Sequence, residues 1–437
     1  MPDLLLEYLS EEIPSRMQAR AADDLKLNFL NALEKEKLSY GKTEVFYSPR
    51  RLVISIENIP KKQKNIKIEK RGPRVDAQQN AIQGFLKSLN TSIDKLEKKS
   101  TDKGTFWFLN YEQTGKNSYE IISEIVNQIT LSFPWPKSQR WGESKLRWIR
   151  PLRKINLIFN NKPLIVKIGE SSSVIETSNI TEGHFFNSKK QIRFSNISEY
   201  LFKLEEEFVI VDQVKRKNII KDQIKKVSKK NNLQVIKDSN LLEEVNGLIE
   251  WPNSILGKID SKFMSLPEEV LITVLKQHQK YFLFRDSKGK VAPIFLTVSN
   301  MKKQRIRDLT IQKGNERVLR ARLEDAIFFW NNDLSKDFSK LLNQLKNVTF
   351  FEKLGSLYDK SLRISKLSKF IAEFIKKIEK QDVARAGLLS KIDLLSGMVN
   401  EFPELQGVMG GYYSHKEKRT ISHAIRDHYK PRGVNPS

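Results

Sequence analysis

Apolar residues return at two different spacings in the first third of the chain. Residues 4–9 (LLLEYL) alternate weakly and predict a strand. From Pro14 onward, Met17, Ala21, Leu25, Phe29 and Leu33 recur at every fourth position. That stripe predicts a helix to about residue 38, with the proline in its first turn. Residues 43–47 and 52–56 predict two more strands, with a basic corner, Arg50-Arg51, between them. A strand–helix–strand–strand opening is α/β or α+β. Residues 61–71 (KKQKNIKIEKR) alternate like a strand edge. A helix at 77–89, an aromatic strand at 105–111 (TFWFLNY) and an amphipathic helix at 119–131 follow.

Pro134-Trp135-Pro136 breaks this pattern and opens a tight aromatic and basic segment to Arg153. Strands are predicted at 155–159 and 164–168, a helix at 196–207, a strand at 208–211 and a long basic helix at 214–232. Residues 249–259 are strand-rich around Trp251-Pro252. Pro267 starts a helix to about 279, with Glu268 and Glu269 in the first turn, where carboxylates favour the dipole. Strands at 281–284 and 292–298 are joined by an Asp286-Ser287-Lys288-Gly289 turn. After Asn300 the pattern is almost all helix: 316–331, 338–345, 357–378, 384–399 and 421–428. The expected fold class is therefore α+β, mixed α/β N-terminal domains followed by an all-helical one. The expected domains are 1–170, 171–345 (with the basic helices) and 346–437. The ending, KPRGVNPS, has the composition of a loop and reads as a cut inside the helical domain.

Composition narrows the chemistry. Of 437 residues none is cysteine, which excludes a disulfide framework, a thiolate nucleophile and Cys-ligated metal. No apolar run approaches the ~20 residues needed to span a bilayer. The N-terminus lacks the basic flank of a secretory signal, so a cytoplasmic protein is expected, with no membrane partner. Lys plus Arg number 77 against 52 Asp plus Glu, a formal charge of +25. Such a surplus favours a polyanionic partner through counterion release, or it reflects a lysine-rich composition alone. Lysines at 215–237 have helical spacing and read as a solvated face. Arginines beside Pro, Gly and Trp say more, because a planar guanidinium binds phosphate bidentately and stacks on bases.

Those arginines define the candidate contacts. Arg50 and Arg51 form the corner between strands. Arg140, Arg147, Arg150 and Arg153 are interleaved with Trp135, Trp141 and Trp148; the tryptophans serve either as stacking platforms or, more simply, as core with an arginine rim. Lys276, His278 and Lys280 lie off or at the edge of an apolar stripe, as a polyanion contact or as a cationic helix end. Arg317, Arg320 and Arg322 fall in the first turns of a helix after the Gly314-Asn315 break. Cations there are unfavourable unless an anion is near, or unless Glu324 and Asp325 neutralise them. No phosphate-binding glycine loop, zinc-protease motif or nucleophile elbow is present. His415, His423 and His428 cluster in sequence, but the last two are five apart and point to different helix faces, so no metal site is expected.

Read together, the motifs resemble the β subunit of the bacterial heterotetrameric glycyl-tRNA synthetases. They are LLLEYLSEEIP at the start, SPRRL at 48–52, FPWPKSQRWGESKLRWIRPLR at 133–153 and TEGHFF at 181–186. LPEEVLITVLKQHQKYF at 266–282, GNERVLRARLEDAIFF at 314–329, FFEKLGSLYDK at 350–360 and EFPELQGVMGGYYS at 401–414 complete the set. Each alone is weak; eight in order are specific.

The resemblance implies an accessory subunit of a glycine–tRNA ligase, working in an α₂β₂ complex. A class II α subunit would hold ATP with Mg²⁺ and carry the chemistry. The β chain would bind tRNA(Gly), not DNA, with no catalytic residue or metal of its own; the arginines above, with Lys276, His278 and Lys280, are the RNA contacts expected from the residues themselves. Residues from about 346 match the start of a helical domain similar to the His-Asp phosphohydrolases. The His-Asp pair is missing, which disfavours that activity, and the family's anticodon-binding region has no counterpart here. A scaffold that binds only the α subunit is the alternative.

Overall fold

The computed structural model describes residues 1–169 and 174–431. The chain is mixed α/β with several small sheets. It divides into two units, one built from Met1–Arg216 with Asn246–Trp251, the other from Lys217–Val245 and the chain from Pro252 onward.

The first unit is organised on a five-stranded antiparallel sheet. Its order is Thr43–Ser48, Arg51–Ile56, Leu4–Ser10, Leu152–Phe159 and the short Lys162–Pro163. Leu4–Ser10 lies at its centre, and every residue in it is buried. Both faces must therefore be covered, and alternation sorts the side chains between two cores. Leu4, Leu6 and Tyr8 join Leu52, Ile54 and Ile56 against the helices Ser15–Lys35 and Ser118–Leu131. Leu5, Val53 and Ile158 face the other way, against Tyr200 and Leu204 of the helix Ile197–Glu206. The weak alternation at 4–9 has this cause: a two-sided strand is apolar at both parities. Glu7 is the exception on the second face.

A separate three-stranded sheet has the order Ile66–Arg74, Gly104–Gln113, Leu96–Thr101. The basic 61–71 run thus supplies an edge strand, where charged side chains discourage further pairing. Arg71 lies 3.6 Å from the centroid of the Phe106 ring.

The second unit holds a four-stranded antiparallel sheet, Gln234–Val235, Phe282–Arg285, Val291–Ser299 and Asn253–Lys258. The expected turn closes the hairpin: Asp286 N–H donates to the Lys290 carbonyl at 2.8 Å. One core runs from Phe263, Val270 and Phe295 through Leu319, Leu323 and Ala326 to Met398, Phe402, Met409 and Ile425.

Two expectations change here. The helix expected to start after Gly314 is continuous from Arg305 to Leu334. A mid-helix glycine costs about 1 kcal/mol relative to alanine, but tertiary contacts override it. Tyr281 donates to Asn315 Oδ1 at 2.6 Å, and Glu316 Oε1 accepts the Lys258 N–H at 2.9 Å. The stretch after 346 is not all helix either. Thr349–Phe351 and Gly355–Ser356 pair in a small hairpin, turned by Gly355 at φ +78°, before the helix Leu357–Ile371. No helix among the described residues is long and apolar enough to cross a membrane.

Candidate nucleic-acid interface

The arginine–tryptophan segment is pinned from inside. Trp148 is fully buried, with its ring 5.0 Å from Tyr8, 4.9 Å from Phe133 and 5.2 Å from Trp135 between centroids. Trp135 and Trp141 are half-buried against the same core. The tryptophans are thus anchors rather than open platforms, because large aromatics contribute most when desolvated. Gln139 and Trp148 exchange backbone hydrogen bonds of 2.8 and 3.1 Å. That bridge sets residues 140 and 147 opposite each other, and Gly142, at φ +55°, turns the chain between them. With Trp148 inward, alternation sends Arg147 outward.

Arg140, Arg147 and Arg150 are exposed, and none has an ion-pair partner among the described residues. Arg147 Nε donates to Ser138 Oγ at 3.2 Å, and Arg150 Nη1 reaches the Ile149 carbonyl at 3.4 Å. Arg153 differs, donating to Glu11 Oε1 at 2.7 Å. Beside Trp135 and Pro136, Arg16 and Arg20 line a groove of about 190 Å³. The sequence pattern offers no reason to single these two out, since they lie on the polar face of an amphipathic helix.

The strand corner at 50–51 turns inward. Arg51 is fully buried, which removes it from any outer contact surface. Its Nε donates to Glu7 Oε1 at 3.1 Å, Nη1 to Glu250 and Nη2 to the Glu182 carbonyl. Glu7 also accepts from Tyr200 Oη at 2.7 Å, Thr181 Oγ1 at 3.0 Å and Asn156 Nδ2 at 2.7 Å. Ser48 Oγ donates to Glu250 at 2.7 Å. Burial works against the Glu250 carboxylate, but the Arg51 charge and the hydrogen bonds from Arg51 and Ser48 hold its pKa below the ordinary value. Burial and the adjacent Glu7 raise the Tyr200 hydroxyl well above its usual pKa. Arg50 is also buried: its Nε donates to the Ser10 carbonyl at 3.3 Å, and its guanidinium sits 5.4 Å from the Phe185 centroid. The motifs at 4–14, 48–52 and 181–186 therefore meet in one buried polar cluster.

The second-unit candidates sit mostly among acids. Lys276 pairs with Asp238, Lys280 with Glu244 at 3.1 Å, and His278 Nε2 lies 3.9 Å from Glu404. Arg320 and Arg322 pair with Asp260 and Glu401, both at 2.8 Å, and not with Glu324 or Asp325. The helix is continuous, so these arginines are mid-helix and its dipole does not act on them. Arg317 is exposed and has no ion-pair partner among the described residues.

A family model described as glycyl-tRNA synthetase beta subunit matches residues 4–437. The chain belongs to the glycyl-tRNA synthetase beta subunit family. It is 41% identical over 441 residues to the glycine–tRNA ligase beta subunit of Phenylobacterium zucineum, covering 100% of this chain and 65% of that protein. To the same subunit of Paracoccus denitrificans it is 39% identical over 438 residues, 99% of this chain and 64% of the relative. The Rickettsia typhi subunit is 40% identical over 437 residues, 100% and 64%. The chain thus spans about 64% of the length of the curated relatives it matches. Against this family background the arginines divide: Arg51 holds the fold, whereas Arg140, Arg147 and Arg150 face solvent from a braced loop. Among the described residues, no group of three or more His, Asp or Glu is placed to hold a metal.

Proposed function

We propose that the chain acts as the accessory β subunit of a glycine–tRNA ligase, in an α₂β₂ complex in the cytoplasm. The reaction is ATP-dependent attachment of glycine to tRNA(Gly) through glycyl adenylate. ATP, Mg²⁺ and the catalytic groups sit on the α subunit, and this chain binds tRNA. The observation that carries the reading is the family match over residues 4–437. The braced loop supports its RNA part: exposed, unpaired guanidiniums on a rigid support can meet phosphates with little ordering cost. Residues from about 346 are proposed as the start of the family's His-Asp-like helical domain, without hydrolase activity.

Co-purification with an α subunit, followed by glycylation with each chain omitted in turn, tests the assignment. Activity is expected only with both chains. Glycylation by this chain alone would overturn the accessory role. Filter binding of tRNA across a salt series tests the loop. Arg147→Ala and Arg150→Ala are each expected to weaken binding and lower the salt slope by about 0.7–0.9 for each phosphate no longer neutralised. Unchanged affinity and slope would favour the scaffold that binds only α.

A further inference from the structure

The braced loop presents cations but little open aromatic surface, because Trp148 is buried and Trp135 and Trp141 are half-buried against the core. Exposed rings stand instead on the turn that joins the antiparallel strands Ile180–Glu182 and Gln191–Arg193. Phe185 and Phe186 there are 51% and 65% exposed, with ring centroids 4.8 Å apart and planes near perpendicular. A single exposed apolar residue is ordinary; two large rings side by side form a patch of the kind that marks a contact site.

The turn is held from behind. His184 is buried, and its Nδ1 accepts the N–H groups of Phe186 at 3.1 Å and Asn187 at 3.2 Å. Its carbonyl accepts those of Ser188 and Lys189, and its own N–H donates to the Glu207 carbonyl at 3.0 Å. Gly183 N–H closes the turn onto the Lys190 carbonyl at 2.8 Å. The strand below is tied to the buried polar cluster through Thr181 and the Glu182 carbonyl. Rings on such a support meet a ligand with little ordering cost.

The surroundings are cationic and continuous with the loop. The Arg50 guanidinium lies 5.4 Å from the Phe185 centroid, and its Nε donates to the Ser10 carbonyl. The next residue, Glu11, donates its N–H to the Pro151 carbonyl at 3.0 Å and accepts from Arg153, so the turn and the end of the braced loop adjoin. Glu11, Glu182 and Glu207 are each met by a cation, from Arg153, Lys154 and Lys190. Arg150 and Lys189 are exposed without ion-pair partners among the described residues. Open aromatic faces beside unpaired cations suit single-stranded nucleic acid, which offers a π-face and a phosphate together.

We propose that Phe185 and Phe186 form a stacking platform for an unpaired base of the bound tRNA, with the phosphates flanking that base on the neighbouring cations of the turn and the braced loop. This deepens the tRNA reading above and rests on it. Filter binding of a tRNA(Gly) transcript to the whole chain, across a salt series, tests it. Phe186→Ala removes the more exposed ring and is expected to weaken binding about 5- to 150-fold. Phe186→Leu should weaken it nearly as much, because leucine restores apolar bulk without a π-face, and Phe186→Trp should bind at least as tightly as the parent. The salt slope should not move in any of the three, since no phosphate contact is lost. Both rings lie on the surface, so the variants are expected to keep the parent melting temperature. A parent chain that binds no tRNA overturns the tRNA reading and the platform with it. A parent that binds, with variants that bind equally well, overturns the platform alone. So does a Phe186→Leu variant that binds like the parent, which would need only apolar bulk. A Phe186→Ala variant that keeps tRNA and loses a co-purifying α subunit also overturns it, and makes the turn a protein contact.

Discussion

Arg51 carries a charge in a place from which water is excluded, and it is tolerated only because Glu7 and Glu250 meet it there. Desolvating an ion costs several kcal/mol, so removing one partner is far worse than never having buried the pair. Arg51→Ala is expected to destabilise the first unit by about 3–5 kcal/mol, read by urea denaturation. A loss under about 1 kcal/mol would mean that the two glutamates rehydrate or protonate without cost. Asp393 offers a second test at this scale. Its folded-state pKa of about 6 lies above the ordinary carboxyl value, so the folded chain holds that proton more tightly than the unfolded chain does. The stabilising term is complete below about pH 4 and is lost as pH rises through about 6, a change of about 3 kcal/mol. Asp393→Asn should therefore melt above the parent at pH 7, with the difference shrinking toward pH 4. A pH-independent difference between the two melting curves would argue against the assignment. Neither residue can be judged from sequence. Arg51 reads as an external corner because a lone Glu in LLLEYLS does not say that it is buried beside it.

Elements are legible where one contact rule decides them. The helix stripe from Met17 to Leu33, the hairpin around Asp286 and the strand pair at 43–56 each follow from local period or turn chemistry. They are not legible where a distant partner decides. The helix through Gly314 continues because Tyr281 and Lys258 hold its weak point from the sheet. At the far end of that helix, Asp333 is fully buried and accepts the N–H groups of Gly397 at 3.0 Å and Met398 at 2.9 Å, and Tyr413 Oη at 3.1 Å. It thus caps the helix Gly397–Glu401 from another element, a link that spacing cannot reveal. Asp333→Ala would strand three buried donors and is expected to cost about 3 kcal/mol, with Tyr413→Phe costing about 1. Hydrogen exchange of the amides at 397 and 398 reads the cap directly. Unchanged protection in Asp333→Ala would show that packing and the Ser396 side chain, which accepts the Val399 N–H at 3.1 Å, hold the helix without it.

At the scale of the whole molecule, a charge of +25 does not act as a single quantity. A cation releases a counterion on meeting RNA only if no acid already neutralises it, so paired and unpaired arginines should differ in salt dependence. Arg140 and Arg147 are exposed without ion-pair partners among the described residues, whereas Arg320 and Arg322 spend their charge on Asp260 and Glu401. Sequence puts all four on one footing, because Trp and Gly neighbours mark an arginine as special without saying whether an acid meets it in space. If the proposed tRNA interface is right, Arg140→Ala with Arg147→Ala should reduce the salt slope of binding by about 1.5–2. Arg320→Ala with Arg322→Ala should reduce it by less than half as much, because each removed cation leaves behind an acid that it had been neutralising. Affinity alone cannot separate these pairs, since breaking an ion pair can also loosen the fold; the slope counts ions and does not respond to packing. Equal slopes for the two double variants would place RNA on the paired arginines as well, and an unchanged slope in the first would move the interface off the braced loop.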